Sequence, residues 1–259
     1  MLALVTGASS GIGLQYANVL ARDYHTDLLL VSNQEKEIAE TAETIAKTYG
    51  VKTISLYRDL SKLDAAEELY QYCQENHLEV DILINNAGVF FFNDFVETSM
   101  NRIELMLKLH IMTVAKMCRL FGEDMCRRQR GYILNMSSMS AWMAMPGIQT
   151  YNATKVFILN FSKSLWYEFK LKNVSVTAVC PGAVDTGLYG LSDYWRRVAV
   201  AISVSLPPEK LVKKALKAMF KRKKQTMPGA INHIFVPIIK HLPDWLVMFI
   251  VKLISQFKK

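Results

Sequence analysis

The sequence predicts an α/β protein built on a doubly wound parallel sheet. Short apolar runs of strand length alternate with longer amphipathic segments of helical length from residue 2 to about residue 179. The chain has 259 residues, enough to bury a sizeable core, and its 51% hydrophobic and 21% charged content is that of a globular protein. Alternating strands and helices favour a parallel sheet, and right-handed crossovers then place helices on both of its faces.

The elements follow one another without an internal repeat or a low-complexity linker. Strands are predicted at Leu2–Val5, Asp27–Val31, Lys52–Tyr57, Asp81–Ile84, Tyr132–Met136 and Ser175–Val179, with a short last strand near Gln225–Met227. Helices are predicted over 12–22, 35–48, 62–76, 101–128 and 152–172. We therefore predict one domain over residues 1–259, with a substrate loop at about 183–208 and an apolar, basic C-terminal segment at about 209–259.

A glycine-rich turn, Thr6 to Gly13, joins the first predicted strand to the first helix. Strand, turn and helix in this order can bind the pyrophosphate of a dinucleotide. Gly7 would permit the tight turn, Gly11 would let the backbone approach the phosphates, and Gly13 would let the helix pack closely on the strand. The helix N-terminus would offer free amides and its positive dipole end. An ordinary strand-to-helix turn is the alternative.

Ser138, Tyr151 and Lys155 form the second informative pattern. Tyr151 and Lys155 lie four residues apart on a predicted helix and share a face, and Ser138 follows a predicted strand. A phenol with a pKa of about 10 is a poor base at neutral pH. A cation about 4 Å away, at an effective dielectric of ~20, favours the phenolate by roughly 4 kcal/mol. An exposed surface pair is the alternative for this spacing alone.

In order and spacing, these motifs resemble the short-chain dehydrogenase/reductase family between Met1 and about Thr186. The segments that carry the resemblance are Thr6 to Gly13, Asn85 to Gly88, Ser138, Tyr151, Lys155 and Pro181-Gly182. The resemblance implies a Rossmann-type fold and an NAD(P)-dependent enzyme that interconverts a ketone and an alcohol. Tyr151 would transfer the proton, Lys155 would lower the tyrosine pKa and hold the nicotinamide ribose, and Ser138 would hydrogen-bond the reacting oxygen. A non-catalytic dinucleotide-binding redox sensor is the alternative function.

The resemblance also implies a set of cofactor contacts. They are Gly7, Ser9, Ser10, Gly11, Ile12, Gly13, Ser32, Asn33, Asp59, Leu60, Asn86, Ala87, Gly88, Tyr151, Lys155, Pro181, Gly182, Val184 and Thr186. Asp59 would contact the adenine amino group. Its alternative role is to cap the helix predicted over 62–76, although Ser61 is better placed for that. No metal site is predicted, because the four cysteines show no C-x-x-C pair.

One position departs from the family pattern. The family commonly carries an asparagine in the helix after Asn-Ala-Gly, where it holds a water linked to the lysine. The matching position here is His110. The imidazole could hold a similar water as part of a proton relay, it could be structural, or the alignment could be shifted by one turn. His110 is therefore a candidate catalytic residue.

The end of the second predicted strand favours NADP(H) over NAD(H), although NAD(H) stays open. An NAD enzyme usually places an acid there to bind the ribose 2′-hydroxyl, and that acid would repel a 2′-phosphate. No acid occurs before Glu35, and Ser32 and Asn33 could donate hydrogen bonds to a phosphate. The arginine that many NADP enzymes carry at this point is missing.

The substrate is predicted to be a hydrophobic small molecule, because methionine and aromatic residues flank the predicted centre on two sides. They are Met139, Ala141, Trp142, Met143, Ala144, Met145 and Pro146, and then Leu188, Tyr189, Leu191, Tyr194 and Trp195. A bulky ketone or secondary alcohol fits, such as a steroid, a bile acid or a 3-oxoacyl lipid. Core packing or a subunit contact is the alternative role of these residues.

The positive charge is concentrated at the C-terminal end. The stretch 205–259 contains twelve Lys and Arg against two acids, a net charge of +10, whereas the whole chain carries +8. Lysines 210, 213, 214, 217, 221 and 224 would share one helical face. The apolar runs 231–235 and 245–257 could lie in a membrane interface, close the substrate pocket or form a dimer contact. Nucleic-acid binding is not predicted, because no reading module is recognisable.

The remaining signals concern the compartment. Isolated cysteines at 73, 118, 126 and 180 indicate buried thiols in a reducing environment. No cationic leader precedes the first strand, and no uninterrupted run of 18 apolar residues occurs. We therefore expect a cytoplasmic protein with peripheral membrane contact as a further option. By analogy with the family, we expect a homo-oligomer.

Overall fold

The computed structural model describes residues 1–184, 205–229, 236–238, 243–246 and 248–249. Its centre is a seven-stranded parallel sheet in the order β3-β2-β1-β4-β5-β6-β9. The strands are β1 (Leu2–Thr6), β2 (Asp27–Ser32), β3 (Thr53–Tyr57), β4 (Ile82–Asn85), β5 (Gly131–Met136), β6 (Val174–Val179) and β9 (Gln225–Thr226), and β7 (Ala183–Val184) pairs separately with β8 (Ser205–Leu206). The predicted doubly wound α/β fold is confirmed.

The connecting helices complete the α/β alternation. They are α1 (Gly11–Tyr24), α2 (Glu35–Tyr49), α3 (Ala65–Glu75), α4 (Met100–Leu107), α5 (Thr113–Arg128), α6 (Gln149–Lys170) and α7 (Pro208–Phe220). A π-helical turn, Lys108–Met112, joins α4 to α5, and short 3-10 turns lie at Phe95–Glu97 and Met139–Trp142. Strands β2 and β3 lie on one side of β1, and the strands from β4 onward lie on its other side, so a crevice opens at the carboxyl ends of β1 and β4.

The core has two layers because successive strand side chains point to opposite faces of the sheet. In β1, Ala3 and Val5 pack on one face with α1, α2 and α7, whereas Leu4 packs on the other face with α3 and α5. Leu28 and Leu30 of β2 follow the first pattern, and they are fully buried. Burial on both faces fixes the register of the central strands, and with it the level at which each strand delivers its loop to the crevice.

The helix predictions need three corrections. The single helix expected over 101–128 is interrupted by the π turn, which inserts one extra residue per turn and re-aims the following helix. The helix expected from 62 begins at Ala65. The cationic helix near the C-terminus ends at Phe220, and Arg222 then adopts a left-handed conformation with φ of 55°.

The turn before α3 also excludes the alternative role of Asp59 as the cap of that helix. Its Oδ1 accepts hydrogen bonds from the amide and the hydroxyl of Ser61, at 3.0 and 2.7 Å. The N-cap position of α3 is Asp64, so neither Asp59 nor Ser61 caps that helix. Asp59 instead holds the turn that leads away from β3.

Several predicted features lie outside the described residues, among them Thr186, the apolar residues at 188–195 and the run 231–235. All of residues 250–259 also lie outside the described residues. All four cysteines are free, and three of them are buried. No helix within the described ranges has the length and apolar character needed to cross a membrane.

Candidate active site

A cleft of about 600 Å³ opens at the carboxyl ends of the strands. It is lined by nearly all the residues that the sequence nominated: Gly7, Ser9, Ser10, Gly11, Ile12, Ser32, Asn33, Asp59, Leu60, Asn86, Ala87, Gly88, His110, Ser138, Tyr151, Lys155, Pro181, Gly182 and Val184. Gly13 lies beneath the lining, and Thr186 is outside the described residues. The fold therefore brings residues from eight separate segments together along one crevice.

The glycine-rich turn is shaped by close packing. Gly7 has φ of +66° and Gly11 has φ of +56°, a conformation that other residues rarely adopt. A Cβ on Gly13 would lie 1.9 Å from the carbonyl oxygen of Gly7 and 2.7 Å from Asn86 Nδ2. The absence of side chains at Gly7 and Gly13 lets α1 begin directly against β1, and the first amides of α1 are left at the crevice.

Thr6 and Asn86 join the ends of β1 and β4 below that turn. Thr6 Oγ1 accepts the backbone N–H groups of Asn86 and Ala87, at 2.9 and 3.0 Å, and donates to the carbonyl of Ile84. The Asn86 side chain donates back to the carbonyls of Thr6 and Gly7. Asn86 was predicted as a cofactor contact and Thr6 was not a predicted site residue, yet the hydrogen bonds of both hold the turn in place.

Ser138, Tyr151 and Lys155 converge at the other end of the cleft. Tyr151 and Lys155 stand one turn apart on α6, and Lys155 Nζ lies 5.3 Å from the centre of the tyrosine ring. The three residues are between 6% and 9% exposed. Ser138 follows β5, and its Oγ accepts the amide of Ser140 at 3.1 Å. The Tyr151 phenol, the Ser138 hydroxyl and the Lys155 amine thus lie in one part of the crevice that has little access to water.

The environment of Lys155 is unusual for an amine. Its Nζ donates to the carbonyl of Met136 at 2.9 Å. Burial lowers the pKa of Lys155 from 10.5 to about 8, because the low-dielectric surroundings penalise the charged form. Ser137 Oγ donates to the Lys155 carbonyl at 2.8 Å and ties α6 to the end of β5.

His110 lies in the π turn and is 1% exposed. The amide of Val89 donates to its Nε2 at 3.0 Å, so Nδ1 carries the proton and donates to Thr154 Oγ1, also at 3.0 Å. Thr154 in turn donates to the carbonyl of Tyr151 at 2.8 Å. Burial, and secondarily the nearby Lys155 charge, hold the pKa of His110 well below its usual value. Both ring nitrogens therefore bind protein groups, which favours a positioning role over a water relay.

The opposite end of the cleft is polar. Ser9 Oγ lies 2.8 Å from Ser32 Oγ and donates to Gln34 Oε1 at 2.6 Å. Arg58, which the sequence analysis overlooked, also lines this end. Its Nη1 donates to Glu68 at 2.7 Å, while its buried Nε has no partner among the described residues. The sequence signal was available, because Arg58 directly precedes Asp59 at the end of a predicted strand.

Apolar side chains surround the phenol. Phe90 meets the Tyr151 ring edge to face at 5.0 Å between centroids. Met106, Ile148 and Met145 pack around the same ring. This cluster contains Met145 from the first predicted substrate segment, and also Val89, Phe90 and Phe91, which directly follow Asn-Ala-Gly and were not among the predicted site residues.

Two of the predicted substrate contacts pack elsewhere. Ala141 and Trp142 lie against the core cluster of Leu159, Ala178 and Cys180. Within the described residues no group of three potential metal ligands occurs.

Comparison with known proteins agrees with this site. A family model for short chain dehydrogenases matches residues 1–196. The human very-long-chain 3-oxoacyl-CoA reductase is 31% identical over 256 residues, covering 96% of this chain and 78% of that protein. Hydroxysteroid dehydrogenase-like protein 1 of Gallus gallus is 30% identical over 250 residues, covering 94% of this chain and 72% of that protein.

Solved structures share the fold. A 7beta-hydroxysteroid dehydrogenase superposes with a TM-score of 0.85 at 24% identity, covering 96% of this chain and 95% of the other. A short-chain dehydrogenase from Sphingobium yanoikuyae in complex with NADPH gives 0.79 at 26% identity, covering 93% and 96%. With the matched family model spanning the glycine turn and Ser138, Tyr151 and Lys155, this chain belongs to the short chain dehydrogenase family of oxidoreductases.

Proposed function

We propose that this protein transfers a hydride between NADP(H) and a bulky hydrophobic ketone or secondary alcohol. One observation carries the proposal: a single cleft has a glycine turn at one end and a buried Ser138, Tyr151 and Lys155 at the other. The bound dinucleotide would supply or accept the hydride. The glycine turn, the free amides of α1 and the lining of the cleft fit such a group.

In the reducing direction, the chain's own residues handle the proton. Ser138 would hydrogen-bond the ketone oxygen, and the Tyr151 hydroxyl would donate its proton to that oxygen as charge develops on it. Lys155, in its charged form, would stabilise the phenolate left behind, because the two side chains are adjacent in a site with little water. Oxidation of an alcohol would reverse these steps.

Arg58 and its neighbours support NADP(H) as the preferred form. The strand β2 ends in Ser32 and Asn33 without a carboxylate, and Arg58 adds a guanidinium to the same end of the cleft. A guanidinium binds phosphate well, because it is permanently charged and offers several N–H donors. The positive charge missing at the end of β2 would thus come from the end of β3.

The apolar wall around Tyr151 supports a bulky, hydrophobic substrate. Phe90, Met106, Met145 and Ile148 would contact whatever lies next to the reacting carbon. The relatives named above are an oxoacyl-CoA reductase and a hydroxysteroid dehydrogenase-like protein, which points to steroid or 3-oxoacyl chemistry. A short polar sugar would leave this wall unpaired.

Turnover of a panel of steroid and 3-oxoacyl ketones with NADPH tests the enzyme against the redox-sensor alternative. We expect the wild type to consume NADPH and Tyr151→Phe to lose at least about 100-fold in kcat with cofactor binding retained. Tyr57→Phe, at an exposed tyrosine, is the control. Equal activity of Tyr151→Phe and wild type would refute the mechanism. If the wild type and Tyr151→Phe both bind the cofactor and neither turns over a substrate, the redox-sensor alternative would be favoured.

The cofactor assignment has a separate test. Arg58→Gln should raise the KM for NADPH about tenfold or more and leave that for NADH nearly unchanged, because only NADPH carries the 2′-phosphate. Arg119→Gln removes an exposed arginine that pairs with Glu123 on α5 and serves as the control. A wild-type preference for NADH would overturn the assignment.

We also propose that the protein is a homo-oligomer in a reducing, cytoplasmic compartment. The free cysteines are compatible with such a compartment. Light scattering coupled to gel filtration would measure the mass, and a monomer at micromolar concentration would contradict the first part.

A further inference from the structure

A second groove lies at the outer edge of the sheet, away from the cleft. It has a volume of about 410 Å³ and runs between α7 and β9, the last strand of the sheet. Four lysines rim it: Lys214, Lys217, Lys221 and Lys223. Ala218, Met227 and Pro228 supply apolar lining. None of these residues takes part in the proposed reaction.

The lysines of this groove are exposed and available. Within the described part of the chain none of the four forms an ion pair, whereas the neighbouring Lys213 pairs with Glu209 at 3.0 Å. The opposite face of α7 is fully buried through Leu211, Val212 and Leu216. The buried apolar face of α7 therefore holds the helix against the core, and its lysine face is exposed to solvent in a fixed orientation.

Four large apolar side chains at described positions after Gly229 are exposed. Trp245 is 71% exposed, Phe249 60%, Ile238 57% and Met248 54%. Residues 230–259 contain a single acid, Asp244, among four lysines. Exposed tryptophan and phenylalanine beside lysines are typical of segments that lie in the interface of a bilayer.

We propose that the lysine groove and the exposed apolar residues Ile238, Trp245, Met248 and Phe249 dock onto a membrane surface rich in anionic phospholipid. A second copy of the chain is a poor occupant, because a two-fold contact at this edge would place lysines against lysines. An anionic bilayer matches both features at once, since its headgroups carry the opposite charge and its interface accepts the aromatic side chains.

The test is flotation of the full-length protein with lipid vesicles. The wild type should float with vesicles that contain phosphatidylglycerol, far less with pure phosphatidylcholine, and less again in high salt. The groove variant is K214Q/K217Q/K221Q/K223Q. The control variant, K36Q/K52Q/K62Q/K172Q, removes the same charge from exposed lysines on other surfaces.

The groove variant should partition at least tenfold more weakly than the control variant, because each lysine near an anionic surface contributes about a fivefold factor. Trp245→Ala with Phe249→Ala should lower partitioning onto the same vesicles while leaving its salt dependence in place. NADPH binding in solution should match the wild type in every variant, which shows that each is folded. Equal partitioning of the groove and control variants would overturn the proposal. Failure of the wild type to float with anionic vesicles would overturn it as well.

Discussion

Replacing Lys155 with methionine should stabilise the cofactor-free protein while removing its activity. Burial lowers the pKa of Lys155 from 10.5 to about 8, so the folded state is penalised for holding the charge at pH 7. At 1.36 kcal/mol per pKa unit the penalty is about 3 kcal/mol. The variant loses the hydrogen bond to the Met136 carbonyl, a cost of about 1 kcal/mol. The net gain expected from Lys155→Met is about 2 kcal/mol.

The pH dependence identifies the cause. Between about pH 8 and 10.5 the folded protein has released the Lys155 proton while the unfolded chain still binds it, so the wild-type free energy of unfolding rises with pH. The advantage of Lys155→Met should therefore be complete below pH 8 and shrink above it. Other titrating groups are common to both proteins and cancel in the difference.

The assay is urea denaturation of the cofactor-free wild type and Lys155→Met at several pH values, followed by circular dichroism. Lys62→Met, at an exposed lysine, is the control and should show no pH-dependent difference from wild type across this range. A Lys155→Met protein that is less stable than wild type at pH 7, or a difference that does not change with pH, would refute the reasoning.

Three further substitutions probe the contacts around the phenol. Gly88→Ala places a Cβ 2.8 Å from His110 Nε2, so the free energy of unfolding measured by denaturation should fall by about 1–3 kcal/mol. An unchanged free energy of unfolding would contradict the close contact between Gly88 and His110. His110→Ala leaves the Val89 amide without its acceptor and should lower the free energy of unfolding by about 1–3 kcal/mol. His110→Asn should recover part of this loss, because an amide can also accept a hydrogen bond. Equal losses in the two variants would argue against the hydrogen-bond role of His110. Phe90→Ala should raise the KM for a bulky ketone about five- to thirtyfold with little effect on acetone, and parallel changes for both would exclude a substrate contact.

The sequence was a good guide to the strands because their burial on both faces leaves continuous apolar runs. Each of the first six predicted strands starts and ends within one residue of the prediction, and the short last strand lies at Gln225–Thr226. Apolar runs such as Leu28–Val31, bounded by polar residues, have few other ways to be buried. The glycine turn was equally predictable, since its spacing reflects the steric needs now visible at Gly13.

The π turn could not be predicted in the same way. Lys108–Met112 contains neither glycine nor proline, and its residues are compatible with an ordinary helix. Tertiary contacts favour the π turn, because the extra residue places His110 within hydrogen-bonding distance of Val89 and Thr154. Arg58 and Phe90 are a different case, because each adjoins a motif that is visible in the sequence: Arg58 precedes Asp59, and Phe90 follows Asn-Ala-Gly after one residue.

A histidine at position 110, where the family resemblance would place an asparagine, can provide what a buried polar link needs. An amide side chain offers one acceptor and one donor group, and a neutral imidazole offers the same pair across a wider ring. The ring can serve only if it stays uncharged, since a protonated Nε2 could not accept from Val89. Burial lowers the pKa of His110 and secures that state. The wider ring then connects the turn after β4 to Thr154, and through Thr154 to the backbone of Tyr151, so His110 links that turn to the residue proposed as proton donor.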